Sequence, residues 1–251
     1  MTEVATRDLE IIAHRGYSSR APENTLAAID LAITAGADAI EWDVHVAACG
    51  TPVLFHDVNL SRTSSGVGPI RRRTLAQLQT LDAGKWFGAE FAGEKIPSLA
   101  QALERTKGRV RRVYTEVKGF RELEDLDRMV DIVRKADRIL DNVFISLDWA
   151  ILDRLAGRDP AVGIGYIVDT AERFDEGLER ATSDGRSLVD LEYRLILERP
   201  DFARRALERG IRVAVWTVDD PIDAGRLREA GVTRFTTNQV DALLAWRADI
   251  P

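Results

Sequence analysis

Cysteine is almost absent from this sequence, since only one of its 251 residues, Cys49, is a cysteine. A single thiol excludes an intrachain disulfide and a metal site made of several thiolates. The sequence also has no run approaching the ~20 apolar residues that span a bilayer, and its N-terminus lacks the basic and apolar regions of a signal peptide. These absences predict a protein of the cytoplasm with no transmembrane segment.

Positive charge is not in excess either. The 35 basic residues face 41 acidic ones, which gives a formal net charge of −6 and argues against a nucleic-acid binder. The cluster Arg71-Arg72-Arg73 is too short to change that conclusion. The 18 glycines and 8 prolines indicate neither disorder nor a fibrous protein. With 45% hydrophobic residues there is ample material for a core, and we expect one domain over residues 1–251.

Short apolar segments alternate with amphipathic ones along most of the chain. The strand candidates are LEIIAH (9–14), ADAIEWDV (37–44), VRRVYTEVKG (110–119), NVFISL (142–147), VGIGYIV (162–168), SLVDLEY (187–193), RVAVWTV (212–218) and TRFTTN (233–238). The helical candidates are PENTLAAIDLAITAG (22–36), RELEDLDRMVDIVRKAD (121–137), DWAILDRLAG (148–157), AERFDEGLERA (171–181), RPDFARRALERG (199–210) and PIDAGRLREAG (221–231). This alternation predicts a parallel sheet.

Eight strand candidates favour a closed (β/α)₈ barrel, provided that TPVLFHD (51–57) folds back on the second strand as a hairpin. A doubly wound open sheet is the alternative, because periodicity does not show whether a sheet closes. The segment 58–97 is far longer than an ordinary connection of ~2–6 residues. It contains Trp86, Phe87 and Phe91, and we interpret it as an insertion that either covers the barrel mouth or packs as a surface loop.

The second strand carries polar residues on one face and apolar residues on the other. Glu41, Asp43 and His45 share a face because side chains alternate along a strand, and Glu116 and Lys118 share a face of the third strand. Both faces of a barrel strand are covered, so these charges need partners. Three converging carboxylates form an all-oxygen site suited to Mg²⁺ or Ca²⁺, the alternative being buried ion pairs. We interpret His45, which lies beyond the acids, as structural.

Other polar residues also fall at strand ends, where the function of a parallel barrel collects. His14 and His56 are candidate proton carriers, since imidazole titrates near neutral pH. Arg15 offers a planar fork of donors that suits a phosphate, and Lys118 adds a point charge. Trp216 ends the seventh strand and is a candidate for contact with the substrate.

A longer stretch, AHRGYSSRAPENTLAAIDLAITAGADAIEWDVHVAACGTPVLFHD (13–57), resembles the N-terminal signature of the glycerophosphodiester phosphodiesterase family. That family shows His-Arg-Gly, Pro-Glu-Asn-Thr, Glu-x-Asp-Val and His-Asp in this order. The likeness continues through LSRTSSGVG (60–68), LDAGKWFGAEFAGEKIPSLAQAL (81–103), TEVKG (115–119), VAVWTVDD (213–220) and GVTRFTTN (231–238). It covers most of the chain, and an ordered set of motifs is far more specific than a lone His-Arg-Gly.

The resemblance implies a TIM barrel with an insertion at about 58–97 and one divalent cation, Mg²⁺ or Ca²⁺. The implied roles are cation ligands Glu41, Asp43 and Glu116, acid and base His14 and His56, phosphate-binding residues Arg15 and Lys118, and Glu23 as a partner that orients Arg15. The implied reaction converts a small-molecule glycerophosphodiester into glycerol 3-phosphate and an alcohol. The expected state is a monomer or homodimer that binds neither nucleic acid nor a membrane through a spanning segment.

The sequence departs from the family pattern in the insertion. It reads Leu60-Ser61-Arg62-Thr63-Ser64 where the family commonly has Leu-Asp-Arg-Thr-Thr, so a carboxylate is missing there. This departure affects the expected substrate range more than the expected activity. Two alternatives to the glycerophosphodiesterase function are a phospholipase D-like action on lysophospholipids or sphingomyelin, and a non-catalytic barrel that binds phosphodiesters.

Overall fold

The computed structural model describes residues 9–182 and 185–250, and its centre is a closed barrel of eight parallel strands. The strands in this part of the chain are β1 (Glu10–Ala13), β2 (Ala39–Val46), β3 (Pro52–Leu54), β4 (Arg112–Val117), β5 (Asn142–Ser146), β6 (Gly163–Val168), β7 (Ser187–Glu192), β8 (Arg212–Trp216) and β9 (Arg234–Thr237). Their order is β1-β9-β8-β7-β6-β5-β4-β2, and pairing of β1 with β2 closes the sheet. The closure confirms the (β/α)₈ barrel and contradicts the open-sheet alternative. Strand β3 pairs antiparallel with β2, as the predicted hairpin.

Helices surround the barrel. They are α1 (Leu26–Ala35), α2 (Leu75–Leu78), α3 (Leu99–Thr106), α4 (Leu123–Lys135), α5 (Trp149–Arg158), α6 (Phe174–Arg180), α7 (Tyr193–Glu198), α8 (Asp201–Glu208), α9 (Pro221–Glu229) and α10 (Val240–Ala248). Short 3₁₀ helices span Ile70–Arg72, Ala89–Phe91 and Ala171–Arg173. Helices α2, α3, α7 and α10 were not assigned from the sequence. Within the described residues, 9–182 and 185–250, no helix is both long enough and apolar enough to cross a bilayer.

The first helix begins later than its apolar spacing predicts. Thr25 is the N-cap, and its hydroxyl accepts a hydrogen bond from the amide of Ala28. Asn24 precedes it with a positive φ of 59°, which a helix cannot include. The Pro-Glu-Asn-Thr motif is therefore a loop at the carboxyl end of the barrel. The helix ends as predicted at Gly36, whose φ of 91° is the left-handed C-cap conformation.

The barrel has two apolar layers because each strand is covered on both faces. Outward-facing residues of β2, including Ile40, Trp42 and Val44, are fully buried against the helices. Inside the barrel a separate cluster consists of Ile12, Ala39, Tyr114, Val143, Ile145, Ile167, Leu188 and Ala214. We call this the inner cluster. It fills the middle of the barrel, as expected for a packed core rather than a pore.

Residues 58–97 pack on a small core of their own. This core consists of Ala47, Val53, Phe55, Leu60, Ile70, Leu78, Ala83 and Ile96, so it joins the segment to the β2–β3 hairpin. Phe87 contacts both Trp86 and Phe91 edge to face, with ring centroids 5.6 Å apart in each pair. The Trp86 indole N–H donates to the carbonyl of Ala83 at 2.9 Å. These contacts anchor the aromatic side chains within the segment.

Candidate active site

The polar residues predicted at strand ends surround one cavity at the carboxyl end of the barrel. The cavity has a volume of about 190 Å³ and is lined by His14, Arg15, Glu41, His56, Glu116, Lys118, Ile145, Leu147, Ile167, Asp190, Trp216, Thr217 and Thr236. Seven of the eight predicted site residues belong to this lining, and the eighth, Asp43, lies beneath it in contact with Arg15 and Lys118. The lining includes none of residues 58–97, which favours the packed-loop interpretation of the insertion.

Three carboxylates converge in the cavity. Glu41, Asp43 and Glu116 each place an oxygen within 4.8 Å of the others. Glu41 and Asp43 come from alternate positions of β2, and Asp43 pairs in register with Glu116 on β4. Buried oxygens of Glu41 and Asp43 accept no hydrogen bond within the part of the chain that the structure describes. Because unpaired buried acceptors are costly, this donor set fits a hard divalent cation.

The pKa values of these three carboxyl groups differ because their charged neighbours differ. Burial, followed by the charge of Asp43, raises the pKa of Glu116 to about 7. Burial and the charges of Asp43 and Glu116 raise the pKa of Glu41 well above its usual value. Burial alone would raise the pKa of Asp43, but Arg15 and Lys118 outweigh it and lower that pKa to about 2.

The His-Arg-Gly turn positions Arg15 over these acids. Gly16 has a φ of 79°, and a Cβ there would lie 2.7 Å from the backbone of Ala28, so only glycine fits this packing against α1. The backbone amide of Arg15 donates to Glu41 at 3.0 Å. Its guanidinium lies 3.0 Å from Asp43 and donates to Glu23 at 2.9 Å, so the expected partner of Arg15 is in place.

Lys118 and Asn24 complete the surroundings of Asp43. The ammonium of Lys118 lies 2.6 Å from Glu116 and 3.4 Å from Asp43. The side-chain amide of Asn24 donates to Asp43 at 2.8 Å, and its oxygen accepts from the Asp43 backbone amide at 3.1 Å. The loop before α1 is therefore tied directly to the acidic cluster.

A chain of hydrogen bonds orients His14. The carboxylate of Asp219 accepts from the side-chain amide of Asn238 at 2.9 Å, which points the amide oxygen toward His14. That oxygen lies 2.8 Å from His14 Nδ1, so Nδ1 carries the proton and Nε2 has a free lone pair. Burial, followed by the charge of Arg15, lowers the pKa of His14 to about 4. His14 Nε2 lies 3.9 Å from Glu41.

His56 has a carboxylate partner instead. Its Nδ1 lies 2.6 Å from Asp57, and Asp57 accepts from Arg62 Nε at 2.7 Å. The hydrogen bond from Arg62 keeps the pKa of Asp57 well below its usual range. Arg62 also donates two hydrogen bonds of 2.8 Å to Glu23, the partner of Arg15. A continuous charged network therefore joins His56 to the guanidinium at the other side of the site.

His45 and Trp216 occupy different settings. The ring Nε2 of His45 lies 3.0 Å from the backbone carbonyl of His56, and the side chain is outside the cavity lining, as expected for a structural residue. Trp216 lines the cavity, and its indole N–H donates to the backbone carbonyl of Asp190 at 3.2 Å. This hydrogen bond holds the Trp216 ring in place as part of the cavity lining.

Sequence reasoning overlooked four contributors to the site. Asn238 and Asp219 orient His14, Arg62 holds Asp57, and Asp190 lines the cavity. Asp190 could have been found, because it alternates with apolar residues in SLVDLEY as Glu41 does in its strand. The pairing of His14 with Asn238 spans 224 residues and becomes visible only once the barrel is closed.

The fold and the site together define a class: a (β/α)₈ barrel whose carboxyl end combines a carboxylate cluster with two histidines and two phosphate-suited cations. Residues 14–242 match the model of the glycerophosphoryl diester phosphodiesterase family. The chain therefore belongs to this family and is an enzyme of it, which confirms the family expected from the sequence motifs.

Individual relatives agree with this assignment. The chain is 30% identical over 239 residues to the glycerophosphodiester phosphodiesterase of Caldanaerobacter subterraneus subsp. tengcongensis, an alignment that covers 93% of this chain and 96% of that protein. It is similar to a phosphodiesterase of Oleispira antarctica solved with the product sn-glycerol-3-phosphate, with a TM-score of 0.83, 30% identity and coverage of 96% and 97%. A glycerophosphodiester phosphodiesterase structure from Agrobacterium tumefaciens gives a TM-score of 0.79, 28% identity and coverage of 94% and 99%.

Proposed function

We propose that this enzyme hydrolyses glycerophosphodiesters to glycerol 3-phosphate and an alcohol with the help of one divalent cation, Mg²⁺ or Ca²⁺. The observation that carries the proposal is the convergence of Glu41, Asp43 and Glu116 beside two histidines that have different hydrogen-bond partners. The product seen in the Oleispira antarctica structure supports glycerol 3-phosphate as a product here.

The cation would be held by Glu41, Asp43 and Glu116, whose unpaired oxygens fit it. A bound divalent ion supplies Lewis-acid stabilisation of the phosphate charge. Arg15 and Lys118 face the same space, and their positive charges bind and orient the phosphodiester. Arg15 and Lys118 also form ion pairs with Asp43. Their positive charge is therefore shared between this carboxylate and the phosphate of the substrate.

The two histidines have the environments that a base and an acid require. His14 Nε2 has a free lone pair and the pKa of His14 is about 4, so His14 is neutral at physiological pH and accepts a proton from the nucleophile. That nucleophile is either water, which gives glycerol 3-phosphate directly, or a glyceryl hydroxyl, which gives a cyclic phosphate that water then opens to glycerol 3-phosphate. His56 donates its Nδ1–H to Asp57, and this hydrogen bond orients the ring so that its other nitrogen can give a proton to the leaving alcohol. We assign His14 as base and His56 as acid on these grounds.

We also propose that residues 1–251 form one domain of this family, with about 58–97 as its insertion. The shared core of this segment and the β2–β3 hairpin supports the proposal, because it leaves no separate folding unit among the residues described. Through this contact the insertion holds Arg62 against Asp57 and Glu23. Its role is then to support the charged network around His56.

A substrate panel tests the function. Purified protein with added Mg²⁺ or Ca²⁺ would be incubated with glycerophosphocholine, glycerophosphoethanolamine and a lysophospholipid, and glycerol 3-phosphate and the free alcohols would be quantified. We expect glycerol 3-phosphate from the two soluble diesters. Turnover of the lysophospholipid alone would favour the phospholipase D-like alternative, and no turnover with any cation would overturn the proposal.

A further inference from the structure

Asp190 is set apart from the other acids of the cavity by its lack of partners. It is 3% exposed, and one of its carboxyl oxygens is fully buried without a hydrogen bond. Among the carboxyl groups of the lining, Glu41 accepts from a backbone amide and Glu116 pairs with Lys118. Asp190 makes no hydrogen bond or ion pair through its side chain to any residue in 9–182 or 185–250. The proposed chemistry gives this acid no role.

The surroundings of Asp190 are apolar. It lies on β7 in register with Ile167 of β6 and Ala214 of β8, both members of the inner cluster. Leu188, two residues earlier on the same face, also belongs to that cluster. The Asp190 carboxyl group is therefore packed against apolar residues of the inner cluster and faces the cavity. Burying such a group without a partner is unfavourable, so a ligand in the cavity is the natural source of its hydrogen bonds.

The position of Asp190 limits the kind of ligand. A phosphate belongs beside Arg15 and Lys118, the two positively charged residues of the lining, and not beside Asp190, which has no cation as a partner among the described residues. The cation site consists of three other acids, and Asp190 is not part of that group. The apolar part of the lining consists of Ile145, Leu147, Ile167 and Trp216. Ile167 pairs in register with Asp190, and Trp216 donates to its backbone carbonyl, so the surroundings of Asp190 suit a carbon skeleton with a hydroxyl donor.

We propose that Asp190 binds a hydroxyl group of the glyceryl moiety and selects substrates that carry it. This inference rests on the proposed function and assigns the apolar half of the cavity to the glyceryl carbons, with the phosphate held in the charged half. A hydroxyl can donate to the buried carboxyl oxygen that the protein leaves unpaired. A site that hydrogen-bonds a substrate hydroxyl discriminates strongly against an analogue that lacks it.

The test compares Asp190→Leu and Asp190→Asn with wild type. Inhibition constants would be measured for glycerol 3-phosphate and for its two deoxy analogues, the phosphates of propane-1,2-diol and propane-1,3-diol, with glycerophosphoethanolamine as substrate. We expect wild type to bind glycerol 3-phosphate about 10–100-fold more tightly than at least one analogue. Asp190→Leu should bind all three about equally, and Asp190→Asn should lie between, because an amide keeps some hydrogen bonding.

Glu192→Gln is the matched control. Glu192 lies two residues along β7, pairs with Arg194 and is outside the cavity lining, so this variant should keep the wild-type preference. The affinity for a divalent cation, measured by calorimetry, should be unchanged in the Asp190 variants. Asp190→Asn also keeps the test valid if the leucine variant does not fold.

Three results would overturn the inference. An unchanged preference for glycerol 3-phosphate in both Asp190 variants would show that the carboxyl group does not bind a hydroxyl. Loss of cation binding in Asp190→Asn would make it part of the cation site. A preference for glycerophosphoethanolamine over glycerophosphocholine that disappears in the variants would assign Asp190 to the amine instead. Failure of the proposed function is distinct, since wild type would then release no glycerol 3-phosphate at all.

Discussion

The two ends of the barrel interior both carry charged side chains, and the carboxyl end holds a cavity whose lining includes carboxyl oxygens without hydrogen bonds among the described residues. Strand β4 contributes to both, with Arg112 at the amino end and Glu116 at the other. Strand β1 similarly places Glu10 at one end and leads into His14 at the other. The inner cluster separates them. The same strands therefore place charged residues at both ends of the barrel. The difference between these two sets of residues identifies which end is the functional one.

The amino end is organised around a single acid. Glu10 accepts hydrogen bonds from Arg112 and, at 2.7 Å, from the hydroxyl of Tyr114. Arg234 lies 3.7 Å from the same carboxylate. Arg212 has no hydrogen bond or ion pair through its side chain within the described part of the chain, and burial together with Arg234 and Arg112 lowers its pKa. Here one carboxylate faces three arginines, and two of them, Arg112 and Arg234, lie against it.

The carboxyl end of the barrel has an excess of acidic residues, in contrast to the arginines at the amino end. Its acids outnumber the available cations, and buried oxygens of Glu41, Asp43 and Asp190 accept no hydrogen bond among the described residues. These oxygens are arranged around a cavity, and two histidines with different partners face the same space. A charged cluster alone does not indicate a site. Unpaired acceptors around an enclosed volume do, because a ligand must complete them.

The largest effect that separates the two ends is on catalysis. His14→Ala or His56→Ala should lower kcat/KM for glycerophosphocholine by about 10²–10⁴, because each removes one of the two proposed proton-transfer groups. Arg212→Gln, a change at the amino end, should leave kcat/KM at the wild-type value. Near wild-type turnover in either histidine variant would show that the named residue is not the acid or base.

The amino end should matter for stability instead. Glu10→Gln leaves Arg112, Arg212 and Arg234 without a carboxylate, so we expect the free energy of unfolding to fall by about 2–4 kcal/mol. Urea denaturation would measure this loss, and kcat/KM of the folded variant should not change. A stable variant with impaired catalysis would contradict the division between the two ends.

The pH dependence of stability should reveal Asp190. Burial, with a contribution from Glu116, raises its pKa to about 8 from 3.8. Between these values the folded protein holds a proton that the unfolded chain has lost, so this group lowers stability as pH rises. Asp190→Asn removes that dependence, and its stability relative to wild type should increase from pH 5 to pH 8 by about 1–3 kcal/mol. A difference that is constant over this range, measured by urea denaturation in chelator, would contradict the assignment.

The smallest effect concerns Arg212, the arginine of the amino end that has no hydrogen bond or ion pair among the described residues. Arg212→Met removes repulsion from Arg112 and Arg234 while keeping the length of the side chain. Since Arg212 is partly exposed and the repulsion is screened, we expect a gain of only about 0.5–1 kcal/mol in the free energy of unfolding. A clear loss of stability in thermal or urea denaturation would mean that Arg212 makes a favourable contact at this end.

Much of this comparison was predictable from the sequence, because strand alternation fixes which side chains share a face. It predicted that Glu41, Asp43, Glu116 and Lys118 converge, and the structure confirms that they do. The apolar segments also predicted all eight barrel strands. The start of α1 was wrong by four residues, since the tie between Asn24 and Asp43 holds the preceding motif in a loop.

Contacts that depend on barrel closure were out of reach of local patterns. The partner of His14 is Asn238, at the opposite end of the chain, and the order of base and acid depends on that contact. The support of His56 by Arg62 depends on how the insertion packs. Helices α2, α3, α7 and α10 were overlooked because they are short and lie within or next to the insertion, as α2 and α3 do, or directly after strand segments, as α7 and α10 do. Packing on the barrel and the insertion therefore decides their structure.

Glycerol 3-phosphate release from glycerophosphocholine, measured before chelation, after removal of divalent cations, and after addition of Mg²⁺ or Ca²⁺, tests the central claim most directly. If the carboxyl end of the barrel is a cation-dependent phosphodiesterase site, release should stop with chelator and return with at least one cation in wild type. It should not return in Glu41→Gln, which removes one charge from the acidic cluster. Undiminished release in chelator, or full recovery in Glu41→Gln, would contradict the account.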